Sequence, residues 1–192
     1  MHMPVAALAA FVALASPSAI LSRPVLDFES DFDAASRLYD AGNAKGALAK
    51  MQQLAKSYPN EYKGARLYHL EVALAANEQQ GRVFAKSLIT GPFASDWASL
   101  AGIAPAVEHL KAPQPATWNL ALFAAKRASQ INPKSAEAQE AIGISNLGLN
   151  QKPIAKAAFD KAVALAKKDP APDSAYIAWL VDRRTKLTLR KL

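Results

Sequence analysis

From residue 31 onward, apolar positions recur at helical spacing in short stretches that are cut off by glycine, asparagine or proline, the pattern of amphipathic helices joined by tight turns. Phe32, Ala35, Leu38 and Tyr39 form the stripe of a first helix over 31–41, and Gly42-Asn43 supplies the turn after it. Ser30 with Asp33 three residues on reads as the capping box that opens this helix. Ala47, Leu48, Met51, Leu54 and Ala55 make a second stripe, which stops before Pro59. The same pattern predicts helices over 61–76, 78–88, 95–110, 117–131, 135–147, 153–168 and 174–190. Pro105 should kink or split the helix over 95–110, residues 111–115 form the longest loop, and Pro153 suits a first helical position.

Aligning the second helix of each pair exposes a period. Ala47, Gly81, Ala121 and Ala155 are separated by 34, 40 and 34 residues, and a small residue there lets two helices approach closely. The same frame sets Met51 against Ala85, Ala125 and Phe159, and Leu54 against Leu88, Ala128 and Ala162; Pro59 and Pro133 occupy equivalent exits. A helical hairpin repeating every 34 residues is the spacing of tetratricopeptide (TPR) repeats, and residues 31–170 resemble that family. The match is best from Ala138-Gln139-Glu140-Ala141-Ile142-Gly143, through a turn at Asn150, to Ala155, Phe159 and Ala162, and next best over Leu38-Tyr39, Gly42, Ala47-Leu48, Met51, Leu54 and Pro59-Asn60. The aromatic residue that the family carries early in its first helix is missing from both, and the third pair carries Pro105 and about six extra residues. Residues 118–170 are also similar to helical repeats that follow thioredoxin-like domains in some bacterial envelope proteins; the redox domain is absent here. The resemblance implies an all-α, right-handed α-solenoid of about four irregular TPR-like hairpins over 31–192, ended by a solvating cap helix over 174–190.

Composition agrees with packed helices, since 42 alanines stand against 8 glycines. No cysteine is present, which removes disulfides, thiolate metal sites and a Cys-x-x-Cys centre. Residues 5–15, VAALAAFVALA, are the length of a signal-peptide core and too short to span a bilayer, and small residues at 13–15 and 17–19 fit a cleavage site. Residues 1–19 are therefore read as a signal peptide and 20–30 as a linker. A packed N-terminal helix and a membrane-associated anchor are the other readings of the same run. Export would make the protein periplasmic or secreted; without it the chain is cytoplasmic. The net charge of +7 is scattered except for a terminal run that holds Arg183, Arg184, Lys186, Arg190 and Lys191, which reads as a solvated helix end or as an anionic-surface site for nucleic acid or phospholipid. No basic segment interleaved with aromatics accompanies it, which disfavours nucleic acid.

Candidate chemistry is sparse. His2, His69 and His109 are too dispersed to suggest a metal site, and no phosphate loop, nucleophile elbow or paired catalytic carboxylates can be read, so no cofactor, metal or catalytic residue is expected. The acidic run Asp27, Glu29, Asp31 and Asp33 reads as a charged approach to a helix start. The TPR resemblance implies instead a groove lined by the first helix of each pair. By that resemblance Phe32, Ser36 and Tyr39 of the first pair, Lys63, Arg66 and Leu70 of the second, and Glu137, Glu140 and Ile144 of the fourth face a peptide or partner protein. Phe32 and Ser36 stand where the family's carboxylate-clamp subgroup has basic and amide groups, so an acidic chaperone tail is disfavoured. The expected function is non-catalytic: a protein-interaction module or assembly scaffold, with the anionic-surface binder as the alternative.

Overall fold

The computed structural model describes residues 27–189, with side chains placed through residue 186. The expected signal peptide at 1–19, most of the linker, and Arg190 and Lys191 lie outside the described residues. Within them the chain forms α1 (Phe28–Asp40), α2 (Ala44–Ser57), a short 3-10 helix (Glu61–Ala65), α3 (Arg66–Ala76), α4 (Glu78–Thr90), α5 (Trp97–Glu108), α6 (Pro115–Ile131), α7 (Ala136–Gly148), α8 (Lys152–Ala166) and α9 (Ser174–Leu189).

Local chemistry sets the boundaries. Gly42 ends the first hairpin turn at φ 78°, a conformation that glycine adopts without strain, and Asn150 takes φ 58° between α7 and α8. Asn43 caps α2 by accepting from the Gly46 N–H at 2.9 Å. Asn77 both ends α3 and caps α4, accepting from Gln80 N–H at 3.0 Å, so that turn needs no further residues. Pro59 and Pro133 each fall two residues beyond the last residue of α2 and α6, where a helix must already have ended.

Four sequence expectations need correction, the first being that the longest connection is 167–173, between α8 and α9, and not 111–115, whose last residue Pro115 opens α6. Helix α1 begins at Phe28 with Asp27 as its cap, and Ser30 lies inside it; Asp27 accepts from Glu29 N–H and thereby claims the role expected of Ser30. Residues 61–76 are not one helix, because the first five wind as a 3-10 helix. Pro105 does not split α5. It sits near the helix end and removes a single backbone bond, while α5 is held by packing against α3, α6 and α7.

The helices pair as α1 with α2, α3 with α4, α5 with α6 and α7 with α8, and α9 closes the array on α8. Stacking then joins like to like, α3 to α5 to α7 and α4 to α6. All twelve positions of the repeat frame are buried, and Phe159 is fully enclosed. Small residues do what the frame requires. A Cβ on Gly81 would lie 2.6 Å from the Leu74 Cα, and one on Gly143 would lie 2.9 Å from the Phe159 ring. The core has two parts: one at the first hairpin around Ala35, Met51, Leu54 and Tyr62, and a larger one running from α3 to Leu180 of α9. No helix among the described residues is long and apolar enough to cross a membrane.

Candidate functional site

The face built by the first helices of the pairs holds two groups of polar and aromatic side chains. At the N-terminal end Phe32 of α1 lies with its ring centroid 5.9 Å from Phe28 and 5.1 Å from Tyr68 of α3. Ser36 accepts from the Tyr68 hydroxyl at 3.3 Å. Tyr39 packs edge-on to Tyr68 and donates to Glu71 Oε1 at 3.2 Å, while Glu71 Oε2 lies 3.2 Å from His109 Nδ1. Burial, with the neighbouring Glu71 carboxylate, pushes the Tyr39 phenol up to about 12. Phe32, Ser36 and Tyr39 therefore do share a face, and Tyr68, Glu71 and His109 complete it.

The expected contribution of α3 to that face was misplaced. Leu70 is fully buried in the main core and takes no part in any surface. Lys63 is exposed on the 3-10 helix, and Arg66, at the start of α3, lies across the helix from Tyr68 and Glu71. The cause is the spacing of this pair of hairpins: Ser36 meets Tyr68 and Tyr39 meets Glu71 at 32 residues, whereas the 34-residue step from Phe32 and Ser36 lands on Arg66 and Leu70, two positions further and about 200° round an α-helix from that face.

At the C-terminal end a cleft of about 310 Å³ opens between α5 and α7. Trp97, Ala98, Ala101, Gly102 and Pro105 line it from α5, and Glu137 and Glu140 line it from α7. Glu137 Oε2 accepts from Ser135 Oγ at 2.8 Å, and Glu140 Oε2 accepts from the Tyr176 hydroxyl of α9 at 2.6 Å. Burial pushes the Glu140 carboxyl up, against the opposing pull of the Tyr176 hydrogen bond and Arg183. Burial and the same carboxylate push the Tyr176 phenol up as well. Ile144, expected beside these glutamates, is 2% exposed and belongs to the core. At that level the cap helix reaches back over α7, where Arg183 pairs with Glu108 of α5.

That bridge also bears on the basic C-terminus. Arg183 is held by Glu108 and lies 4.7 Å from the Trp179 ring centroid, Arg184 pairs with Asp160 at 3.2 Å and Lys186 with Asp182 at 2.6 Å. Three of the five cations considered for an anionic surface are thus bound to carboxylates of the fold.

Sequence reasoning missed Tyr68, Glu71, Trp97, Glu108 and Tyr176, and read His109 only as a dispersed histidine and Arg183 only as part of the basic end. One signal was present. Hydrogen bonds between neighbouring repeats join residues 32 to 39 apart, as in Ser36 with Tyr68, Tyr39 with Glu71, Glu140 with Tyr176 and Glu78 with Thr117, close to the repeat length itself. Among the described residues no group of three or more His, Asp or Glu is placed to hold a metal ion. His69 is buried against the Tyr62 hydroxyl and the Phe84 ring, and desolvation lowers its pKa to about 4.

No protein-family model and no curated protein matches the chain. Among solved structures it is similar to TTC0263, a thermophilic TPR protein of Thermus thermophilus, at 16% identity and a TM-score of 0.48, covering 85% of this chain and 100% of that one. It is also similar to MamA 41-end from Desulfovibrio magneticus RS-1, at 14% identity and a TM-score of 0.46 over 85% and 96% of the two chains. A third is a MamA RS-1 ArsTM double mutant, at 15% identity and a TM-score of 0.48 over 76% and 78%. With four stacked hairpins closing on buried Ala47, Gly81, Ala121 and Ala155, and with α9 as a cap, the described residues have an all-α, TPR-like helical-repeat fold.

Proposed function

We propose that this protein is a non-catalytic interaction module or assembly scaffold that takes a peptide or partner protein on the face built by α1, α3, α5 and α7. The observation that carries this reading is the open cleft between α5 and α7, where an indole, small apolar residues and two carboxylates meet. Pockets of mixed apolar and polar lining are where proteins bind partners and ligands. The remaining elements give rigidity, since each first helix is backed by the buried stripe of a second helix. Phe32, Ser36, Tyr39, Glu137 and Glu140 remain contact residues in this reading, joined by Tyr68 and Trp97.

Site-specific photo-crosslinking in the native host tests it. A benzoylphenylalanine at Ala98, exposed at the cleft, should capture a defined partner. The same group at Gln53 of α2 or Lys126 of α6, both exposed on second helices, should not. Capture only from the second helices or from the basic end would overturn the assignment. We also propose that the chain is exported, supported by the apolar run at 5–15; an intact Met1 on a cytosolic protein would refute that.

A further inference from the structure

Resting on the reading of this face as a protein-binding surface, we infer that the α5–α7 cleft is a pocket for one arginine side chain of the partner. Its volume of about 310 Å³ lies at the small end for binding pockets, which suits a single long side chain. The lining divides as such a side chain would require. Trp97, Ala101 and Pro105 offer an apolar floor for methylenes and a flat ring for a guanidinium, and Glu137 and Glu140 offer carboxylate oxygens at the wall.

Acceptors are in surplus here. Pro105 has no N–H, so the carbonyl of Ala101, one turn earlier and lining the same cleft, lacks the helical donor that every other residue at this spacing would supply. Glu140 lies in the field of Glu137 and Glu108 with Arg183 as the compensating cation, three carboxylates against one positive group in a chain whose total charge is +7. The adjoining cleft, which shares Trp97 and Glu137, adds Asp169 and Asp173 against Lys134. Negative charge is therefore concentrated at this place against the balance of the whole molecule, and the complementary partner group is a cation.

Arginine rather than lysine follows from the surroundings. A guanidinium is flat, weakly hydrated and always charged, so it can lie on an indole and still reach two carboxylates, whereas an ammonium loses more hydration on entering. The fold already contains one such arrangement: Arg183 lies over the Trp179 ring while its Nη2 donates to Glu108. Trp97 with Glu137 and Glu140 offers the same pairing of an indole with carboxylates to an arginine from outside the chain.

The test uses the full chain and four acetylated, amidated peptides of one apolar sequence that differ at a single central residue: arginine, citrulline, lysine or glutamate. Titrations are followed by NMR on the Trp97 indole N–H, assigned by Trp97→Phe. The arginine peptide should shift that resonance and bind about tenfold more tightly than its uncharged isostere citrulline, a difference of about 1.4 kcal/mol. The paired substitution Glu137→Gln and Glu140→Gln should abolish the preference, and Phe123→Ser, on the exposed side of α6, should leave it intact. Circular dichroism melting confirms that each variant is folded. Equal binding of arginine and citrulline, equal binding of lysine, or no shift with millimolar arginine peptide overturns the inference. So does preference for the glutamate peptide, which would point to Arg183, whose Nη1 is buried without an acceptor among the described residues. Crosslinking from Ala98 separates the two levels: a partner captured as well by the Glu137→Gln, Glu140→Gln protein as by the native one preserves the interaction face and removes the arginine pocket.

Discussion

The contact between Phe159 and Gly143 gives the sharpest test of the repeat register, because both residues are needed for α7 and α8 to close. Phe159 is fully buried, so Phe159→Ala removes the ring and leaves a cavity at an expected cost of about 3–5 kcal/mol. Gly143→Ala alone sets two effects against each other. Alanine in place of glycine within a helix gains about 1 kcal/mol, whereas its methyl carbon would lie 2.9 Å from two Phe159 ring carbons and 3.0 Å from a third, an overpacking worth about 1–3 kcal/mol. The net loss should be about 0–2 kcal/mol. With the ring gone the clash disappears, the helical gain remains, and the new methyl occupies part of the cavity for roughly 0.8 kcal/mol more. The double variant should therefore be less damaged than the sum of the singles by about 2–4 kcal/mol. Urea unfolding followed by circular dichroism, compared at midpoints with a common slope, measures all four corners of the cycle. A Phe159→Ala loss below about 1 kcal/mol, or additivity within about 0.5 kcal/mol, would refute the packing described for this hairpin.

Gly81→Ala should cost more than Gly143→Ala, about 2 kcal/mol or above, because the obstructing atoms are the backbone of Leu74 at 2.6 and 2.7 Å and no side-chain rotation relieves them; the same unfolding assay measures this. His69 supplies a pH dependence: its pKa falls from the ordinary value of about 6.5 to about 4, so the neutral ring is the folded form. Its contribution is complete above about pH 6.5 and is lost as the pH falls towards 4, with a slope approaching 1.4 kcal/mol per unit. Stability measured across that window should fall less steeply in His69→Gln, and parallel curves for the two proteins would contradict the assignment. Arg183→Ala should destabilise the cap by about 1–2 kcal/mol through loss of Glu108 and the Trp179 face, whereas Lys186→Ala, from an exposed pair within one helix, should stay within about 0.5 kcal/mol in thermal melts.

Periodicity and turn chemistry determined the helices of this protein before any contact was known. Gly42, Asn43, Asn77 and Pro133 act through their own backbone or nearest N–H groups, so their effects are written locally. The stripe of each second helix was legible for the same reason: helix geometry requires one small residue and two apolar residues on one side, and the three recur at 34- or 40-residue spacing. Expectations based on the first helices fared less evenly. Phe32, Ser36 and Tyr39 lie on a regular α-helix and share a face, but the step from α1 to α3 is 32 residues where the second helices repeat at 34, so Arg66 and Leu70 fall on the opposite side of α3 from Tyr68 and Glu71. Ile144 sits at a groove-facing spacing from Glu137 and Glu140 yet is buried as part of the main core. Tertiary structure alone decided that Arg183 reaches Glu108 across 75 residues of chain, and that α5 runs through Pro105 to form one wall of the cleft. A helical pattern specifies which side of a segment is buried; which distant side chain meets it depends on how the hairpins stack, a relation between segments that no single segment contains.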